Sequence, residues 1–257
     1  MGEWNAEAYH RLAEPQLAWA RRLLARLALR GDERVADLGC GTGRSTAELA
    51  GRLPRGLVVA VDRSATMIAR AARELASHPR VHLVRADAAA LPFAGAFDVV
   101  FSSATFHWIP DHDALFRSIF TALRPGGRLL AQCGGGPNLE RLLARAARLA
   151  TSPPFRAAFT DWVDPWYFAT PEETARRLRA AGFTDVDTGL EPAPTSFADA
   201  ETFRAFLETV CVREYLARLE PEAAERFAHE LTAAAADDTP PYTLDYWRLN
   251  LSARKPA

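Results

Sequence analysis

Apolar and polar positions along this chain follow two periods, and the switches between them mark out its elements. Residues 6–30 set Tyr9, Leu12, Leu17, Leu23, Leu24 and Leu27 among Arg and Glu at helical spacing, ending near Gly31, which predicts an amphipathic helical opening segment. From Val35 onward, short apolar or β-branched runs predict strands at Val35–Leu38, Leu57–Asp62, Val81–Arg85, Phe97–Ser103 and Arg128–Cys133. Helical patterns fall between them at Thr42–Gly51, Ala65–Ser77 and Asp113–Leu123, and Arg124-Pro125-Gly126-Gly127 predicts a helix stop and a turn. Strands alternating with helices imply a parallel sheet covered on both faces.

After Cys133 the rhythm changes. Gly134-Gly135-Gly136-Pro137 breaks the chain, and two helical stretches with an aromatic cluster (Phe155, Phe159, Trp162, Trp166, Tyr167, Phe168) are expected to follow. Thr170-Pro171-Glu172-Glu173 predicts a helix start and Gly182 its stop. Thr184–Leu190 predicts the next strand, residues 198–236 are again helical, and Tyr242–Arg254 predicts a last strand. The expected organisation is a single α/β domain over 1–257, with an opening helical segment (1–31), a core (35–133) and helical insertions at 134–170 and 198–238.

Composition narrows the partner. A chain of 257 residues, 49% hydrophobic, can bury a sizeable core. Its formal charge of −1 argues against general nucleic-acid binding, which requires a basic face, and favours a small-molecule partner. No basic leader precedes an apolar run and no stretch approaches the roughly 20 apolar residues of a membrane span, so a cytoplasmic protein is expected. Cys40, Cys133 and Cys211 lack paired or ligand spacing, so no disulfide and no metal site is implied.

The chemistry concentrates at 35–43. Gly39, Gly41 and Gly43 follow a predicted strand and open a helix, where an open α/β sheet presents its ligand crevice. Glycines there allow tight turning and close approach of the backbone, and the helix-start N–H groups favour an anionic group. A sharp strand-to-helix turn needs the same glycines for geometry alone. Asp62, about 20 residues on at the end of the second strand, has the spacing at which an acid accepts from ribose hydroxyls. The dinucleotide fingerprint would place a third small residue where Arg44 stands, so NAD, and with it an oxidoreductase, fits less well.

Val35-Ala-Asp-Leu-Gly-Cys-Gly-Thr-Gly43 resembles motif I of the class I S-adenosylmethionine (SAM) methyltransferases, with Asp62 in the motif II position. Arg85-Ala86-Asp87-Ala88-Ala89-Ala90-Leu91-Pro92-Phe93 is similar to the segment after strand 3, Phe97–Ser103 to motif IV, and Leu123–Leu130 to the turn into strand 5. Trp4 and Tyr9, Thr105-Phe106-His107-Trp108-Ile109-Pro110 and Tyr246–Arg254 resemble the trans-aconitate methyltransferase group, near relatives of the malonyl-carrier-protein methyltransferases. The resemblance implies a Rossmann-like sheet ordered 3-2-1-4-5-7-6 with strand 7 antiparallel. It also implies that Asp37, Gly39 and Gly41 line the methionine end of SAM, Asp62 the ribose, Arg63 and Met67 the adenosine, Asp87 and Ala88 the adenine, and Ser103 the sulfonium. It implies no particular acceptor, and a carrier-protein-bound acceptor has no sequence feature in its favour.

Methyl transfer from a sulfonium mainly requires alignment and exclusion of water, and a base only where the acceptor must lose a proton. His107, just past strand 4, is the candidate catalytic base, or else a histidine holding the loop around Trp108. His10, His78, His82, His112 and His229 read as surface residues. Arg213, with Arg204 second, is the candidate partner of an anionic acceptor, or else a solvated Arg. Trp108, Trp162, Trp166 and Tyr167 suggest an apolar acceptor pocket, although such rings also cement insertions onto a sheet. Tyr9 is placed to fold over the methionine end as a lid. A methyltransferase-fold protein that binds ligand without turnover stands as the alternative to a small-molecule methyltransferase.

Overall fold

The computed structural model describes residues 3–257. Among these residues, nine strands form in chain order: β1 (Arg34–Leu38), β2 (Leu57–Asp62), β3 (Val81–Arg85), β4 (Phe97–Ser103), β5 (Leu123–Gly134), β6 (Thr184–Pro192), β7 (Thr195–Ser196), β8 (Thr243–Leu244) and β9 (Trp247–Arg254). Seven make one sheet, ordered β3-β2-β1-β4-β5-β9-β6, while β7 and β8 pair in a separate two-stranded ribbon. β9 runs antiparallel to both β5 and β6, and the other pairs of the seven-stranded sheet are parallel. As the seventh strand of the sheet, β9 gives the expected 3-2-1-4-5-7-6 arrangement with its antiparallel member.

Alternate residues of the central strands enter different cores, which is why their runs read as apolar throughout. Val35, Val58, Val99 and Phe101 pack against Leu23, Leu24 and Leu27 of helix α2 (Glu14–Ala25) and Leu49 of α3 (Arg44–Gly51). Ala36, Leu38, Val100 and Leu249 face Leu115, Phe116 and Ile119 of α5 (His112–Ala122) on the other side. A third core lies above the sheet and joins Leu142 of α6 (Glu140–Ala150), Phe203 and Phe206 of α8 (Ala200–Phe206) and Phe227 and Leu231 of α10 (Pro221–Ala236).

Four local expectations are corrected. The opening segment is two helices, α1 (Ala6–Leu12) and α2, because Pro15 in the first turn of α2 starts a new helix. The predicted strand Tyr242–Arg254 divides into β8 and β9. The Asp245 carbonyl accepts from Leu139 N (3.0 Å) and its carboxylate from Arg141 N (2.8 Å), so this residue caps α6 instead of continuing a ladder. The 124–127 turn belongs to β5 as an irregularity, its pairing passing from Phe97–Leu123 to Val99–Arg128. Of two helical stretches expected before 170, α6 forms, but the second shrinks to a 3-10 turn at Arg156–Phe159 preceded by Pro153 and Pro154.

The remaining helices are α4 (Ala65–Glu74), capped by Ser64, α7 (Pro171–Ala180), with the capping box that Thr170 and Glu173 predict, and the short α9 (Arg213–Leu216). Among the described residues, no helix is long and apolar enough to cross a membrane.

Candidate functional site

A cavity of about 370 Å³ opens at the C-terminal edge of the parallel strands. The loop after β1 forms part of its floor. Gly39 N and Cys40 N donate to Val61 O (2.7 and 3.0 Å), drawing the loop onto the end of β2. Gly39 adopts φ +72°, and a Cβ there would lie 2.0 Å from Thr105 Oγ1, so only glycine fits. At Gly41, φ +55°, a Cβ would meet nothing within 4 Å, because this backbone borders open space.

Asp62 closes the loop. Its Oδ2 accepts from Gly41 N (3.0 Å) and its Oδ1 from Ser64 N (2.9 Å). Burial nevertheless raises the carboxyl above its ordinary range, so further donors such as a ribose diol would stabilise the anion. Arg63, Met67, Asp87, Ala88 and Ser103 border the same part of the cavity. Asp87 Oδ1 accepts from Ala89 N (2.9 Å), which orients the carboxylate, and Ser103 Oγ is buried without a hydrogen-bond partner among the described residues. An open backbone cradle, an under-satisfied acid and a hydroxyl lacking a partner suit a nucleoside with a charged tail.

Asp37 is the exception on this side. It lies beneath the loop, 1% exposed, accepts from Thr46 Oγ1 (2.7 Å) and does not line the cavity. Burial pushes its carboxyl up to about 7. It supports the loop from behind, a correction to its expected place beside the ligand.

Residues 3–12 cover the cavity. Glu3 accepts from Ser64 Oγ (2.6 Å) and Thr66 Oγ1 (3.2 Å), and Trp4 packs edge-on against Tyr9 (5.3 Å) and Trp108 (5.2 Å). Tyr9 lines the cavity.

The far end of the cavity is aromatic, with Trp19, Trp108, Trp166, Phe168 and Tyr246 among its walls. His107 lies there too, stacked on Phe168 (5.8 Å). Its Nδ1 accepts from Gly134 N (3.2 Å), and burial holds its pKa well below the ordinary histidine value. An imidazole that is neutral and accepts at Nδ1 carries its proton on Nε2, so it offers the cavity a donor.

Four expected acceptor residues lie elsewhere. Trp162 packs on Tyr215 (4.4 Å) and donates to Asp164 Oδ1 (2.8 Å), cementing the helical cap. Tyr167 is held by Arg177 and Glu173 (2.7 and 3.2 Å) and packs against the sheet core. Arg213 stacks its guanidinium over Trp4 (3.8 Å to the ring centroid) and Trp108 (5.4 Å) and pairs with Glu214, bracing the rings from outside the lining. Arg204 pairs with Glu208 and Glu225, away from the cavity. His112, expected on the surface, is 3% exposed and its Nε2 lies 3.0 Å from Phe106 O, anchoring the turn that carries His107.

Sequence reasoning missed Gln16, Trp19, Asn138, Tyr246 and Arg248, all of which line the cavity. They come from α2, the start of α6 and the start of β9, far apart in the chain.

Comparison with known proteins agrees with this architecture. A family described as "Methyltransferase domain" matches residues 35–127. The chain is 33% identical to the trans-aconitate 2-methyltransferase of Methylobacterium nodulans, over 99% of both chains. It is also 33% identical to the protein of that name from Deinococcus radiodurans, over 87% of this chain and 86% of that protein. Among solved structures, the Haemonchus contortus phosphoethanolamine N-methyltransferase 2 complex with phosphomonomethylethanolamine and S-adenosylhomocysteine superposes with a TM-score of 0.63 at 22% identity, covering 98% of this chain and 57% of that one. The YcgJ protein of Bacillus subtilis gives 0.65 at 18% identity, covering 93% and 98%.

Proposed function

Because this chain belongs to the family of the trans-aconitate 2-methyltransferases, and is therefore a SAM-dependent methyltransferase, we propose that its acceptor is a small-molecule carboxylate that it converts to a methyl ester. The observation that carries this reading is the state of His107, whose Nδ1 lone pair is already occupied by Gly134 N–H. Among the described residues, no other group at the far end of the cavity is a ready base. Burial pushes Cys211 up to about 12 and Tyr246 well above its usual value. Glu3, on the covering segment, is held down to about 2, chiefly by the Ser64 hydroxyl, and has little tendency to take a proton. An alcohol or phenol would reach this site with its proton in place, whereas a carboxylate is already ionised at neutral pH.

SAM, when bound, supplies a methyl group on a positively charged sulfur. A carboxylate aligned with that carbon would take the methyl group as the bond to sulfur gave its electron pair back to sulfur, and the chain's residues would have no proton to move. In this reading the chain's residues bind and orient. Asp62 would take the ribose hydroxyls, Asp87 and Ala88 the adenine, Arg63 and Met67 would flank the adenosine, and Gly39 and Gly41 would admit the methionine end. Ser103 would serve the sulfonium end and Tyr9 would cover it, with Trp108 and Trp166 walling the acceptor.

Tritiated SAM offered with carboxylates, phenols and polyketides tests the proposal. The expected product releases volatile label in alkali, as a methyl ester does, and its formation is independent of pH between about 6 and 9. Transfer to phenols alone, rising with pH, would refute it.

A further inference from the structure

The helical cap and the first residues of β9 enclose a cation, Arg248, that makes no ion pair among the described residues. Arg248 is 2% exposed and lines the cavity's far end. Its Nε donates to Gln132 Oε1 (3.4 Å) and its guanidinium lies over Trp19 (4.3 Å to the ring centroid), while Nη2 is buried without a hydrogen-bond partner among the described residues. Glu191, the carboxylate that most affects it, accepts instead from Asn250 Nδ2 (3.3 Å) and makes no ion pair with Arg248. Burial brings Arg248 down to about 10, so the group is still charged at neutral pH. A buried cation without a partner is costly and is retained where something else supplies the anion.

The surroundings say where that anion comes from. The other cations lining the cavity, Arg63 and Arg85, flank the nucleoside side, and Arg85 Nε donates to Arg63 O (3.1 Å). At the far end the neighbours of Arg248 are rings and amides. Asn138, 3% exposed, spends its oxygen on Trp247 N (3.0 Å), so its NH2 is what it offers the cavity. His107 likewise offers Nε2–H. Arg248, Asn138 and His107 therefore bring donors to one end of a cavity whose walls include the rings of Trp19, Trp166 and Tyr246 and the amide of Gln16, whose buried Oε1 has no hydrogen-bond partner among the described residues.

We propose that Arg248 is the specificity-determining anchor of the acceptor, its guanidinium receiving a carboxylate of a small acid whose unsaturated body lies against Trp19, Trp108 and Trp166. This rests on the carboxylate reading above and names the residue that enforces it. A fork of parallel N–H donors fits a carboxylate and discriminates against its amide or ester.

The test uses full-length protein with S-adenosylhomocysteine bound, and trans-aconitate, trans-cinnamate and cinnamamide as probes. In wild type, at least one of the two acids raises Tm and is methylated, while cinnamamide does neither. Arg248→Met keeps the side chain's bulk, and replacing a buried charge by an apolar group is often neutral for folding, so its Tm without acid should match or exceed wild type. Its Kd for S-adenosylhomocysteine should be unchanged, but the KM for the acid should rise about 100-fold, and Arg248→Lys should recover about a tenth of the loss. Should R248M not fold, Arg248→Gln and the wild-type preference of acid over amide supply the same comparison. Acid methylation with an unchanged KM in R248M, or no acid-dependent stabilisation of wild type at millimolar concentration, would overturn the assignment. Methylation of phenols with acids merely binding in an Arg248-dependent way would instead refute the carboxylate reading and leave the anchor standing.

Discussion

Replacing Gly39 by alanine should damage the donor site through two separable effects. The new Cβ would sit 2.0, 2.3 and 2.6 Å from Thr105 Oγ1, Cγ2 and Cβ, so the β4–α5 loop or the glycine loop must move. Overpacking of this kind costs about 1–3 kcal/mol. The backbone at φ +72° adds about 1–2 kcal/mol for any residue with a Cβ. Together they predict a loss of about 2–5 kcal/mol, or a fall in Tm of roughly 4–20 °C for a chain of this size. Urea unfolding of G39A measures the sum. Thr105→Gly removes every atom in the clash, so G39A made in a T105G background should cost only the backbone part, about 1–2 kcal/mol. S-adenosylhomocysteine titration of each protein reports whether the loop keeps its shape. A G39A protein with wild-type Tm and affinity would refute the account, and equal costs in both backgrounds would refute the steric half of it.

Three other outcomes follow from the same geometry. Asp62→Ala should weaken S-adenosylhomocysteine binding by about 10- to 100-fold in calorimetry, as it removes a charged acceptor from ribose and frees Gly41 N and Ser64 N. Asp37 has its carboxyl raised from 3.8 to about 7, so between these values the folded state holds a proton that the unfolded state has lost. Its contribution therefore favours folding below about pH 4, declines as pH rises and levels off above about pH 7, and Asp37→Asn should flatten that decline and exceed wild type in stability at pH 8. His107→Gln retains a side-chain acceptor and donor, so kcat should fall less than about 10-fold with no change in the pH–rate profile between pH 6 and 9; a loss of about 100-fold or more, with a lost ionisation, would restore its role as base.

The end of the cavity bordered by the glycine loop and Asp62 was legible in the sequence because its parts are local. A buried parallel strand, a glycine turn and an acid at the end of the next strand lie within 28 residues, from Val35 to Asp62, and each leaves its own pattern. Asp37 misled because a strand-end carboxylate can point to either side of the loop above it, and only the partner Thr46 decides which. Trp162, Tyr167 and Arg213 misled because they lie beside lining residues, and rings and Arg also bind one another through ring contacts and ion pairs. Arg248 left one readable signal. In the Trp247-Arg248-Leu249-Asn250-Leu251 run the even positions are polar, and an antiparallel last strand begins at the edge where the parallel strands end. A charge at that start faces the ligand crevice, which becomes visible only once the strand's direction is known.

The cap's separate core has a consequence for how such a protein diversifies. Phe155, Phe203, Phe206, Phe227 and Leu231 pack with one another, apart from the two clusters that bury the sheet. Substitutions there can reshape the chamber above Arg248 while the strands, the glycine loop and Asp62 keep their register. New substrates can thus be explored by drift in one compartment under little constraint from the other.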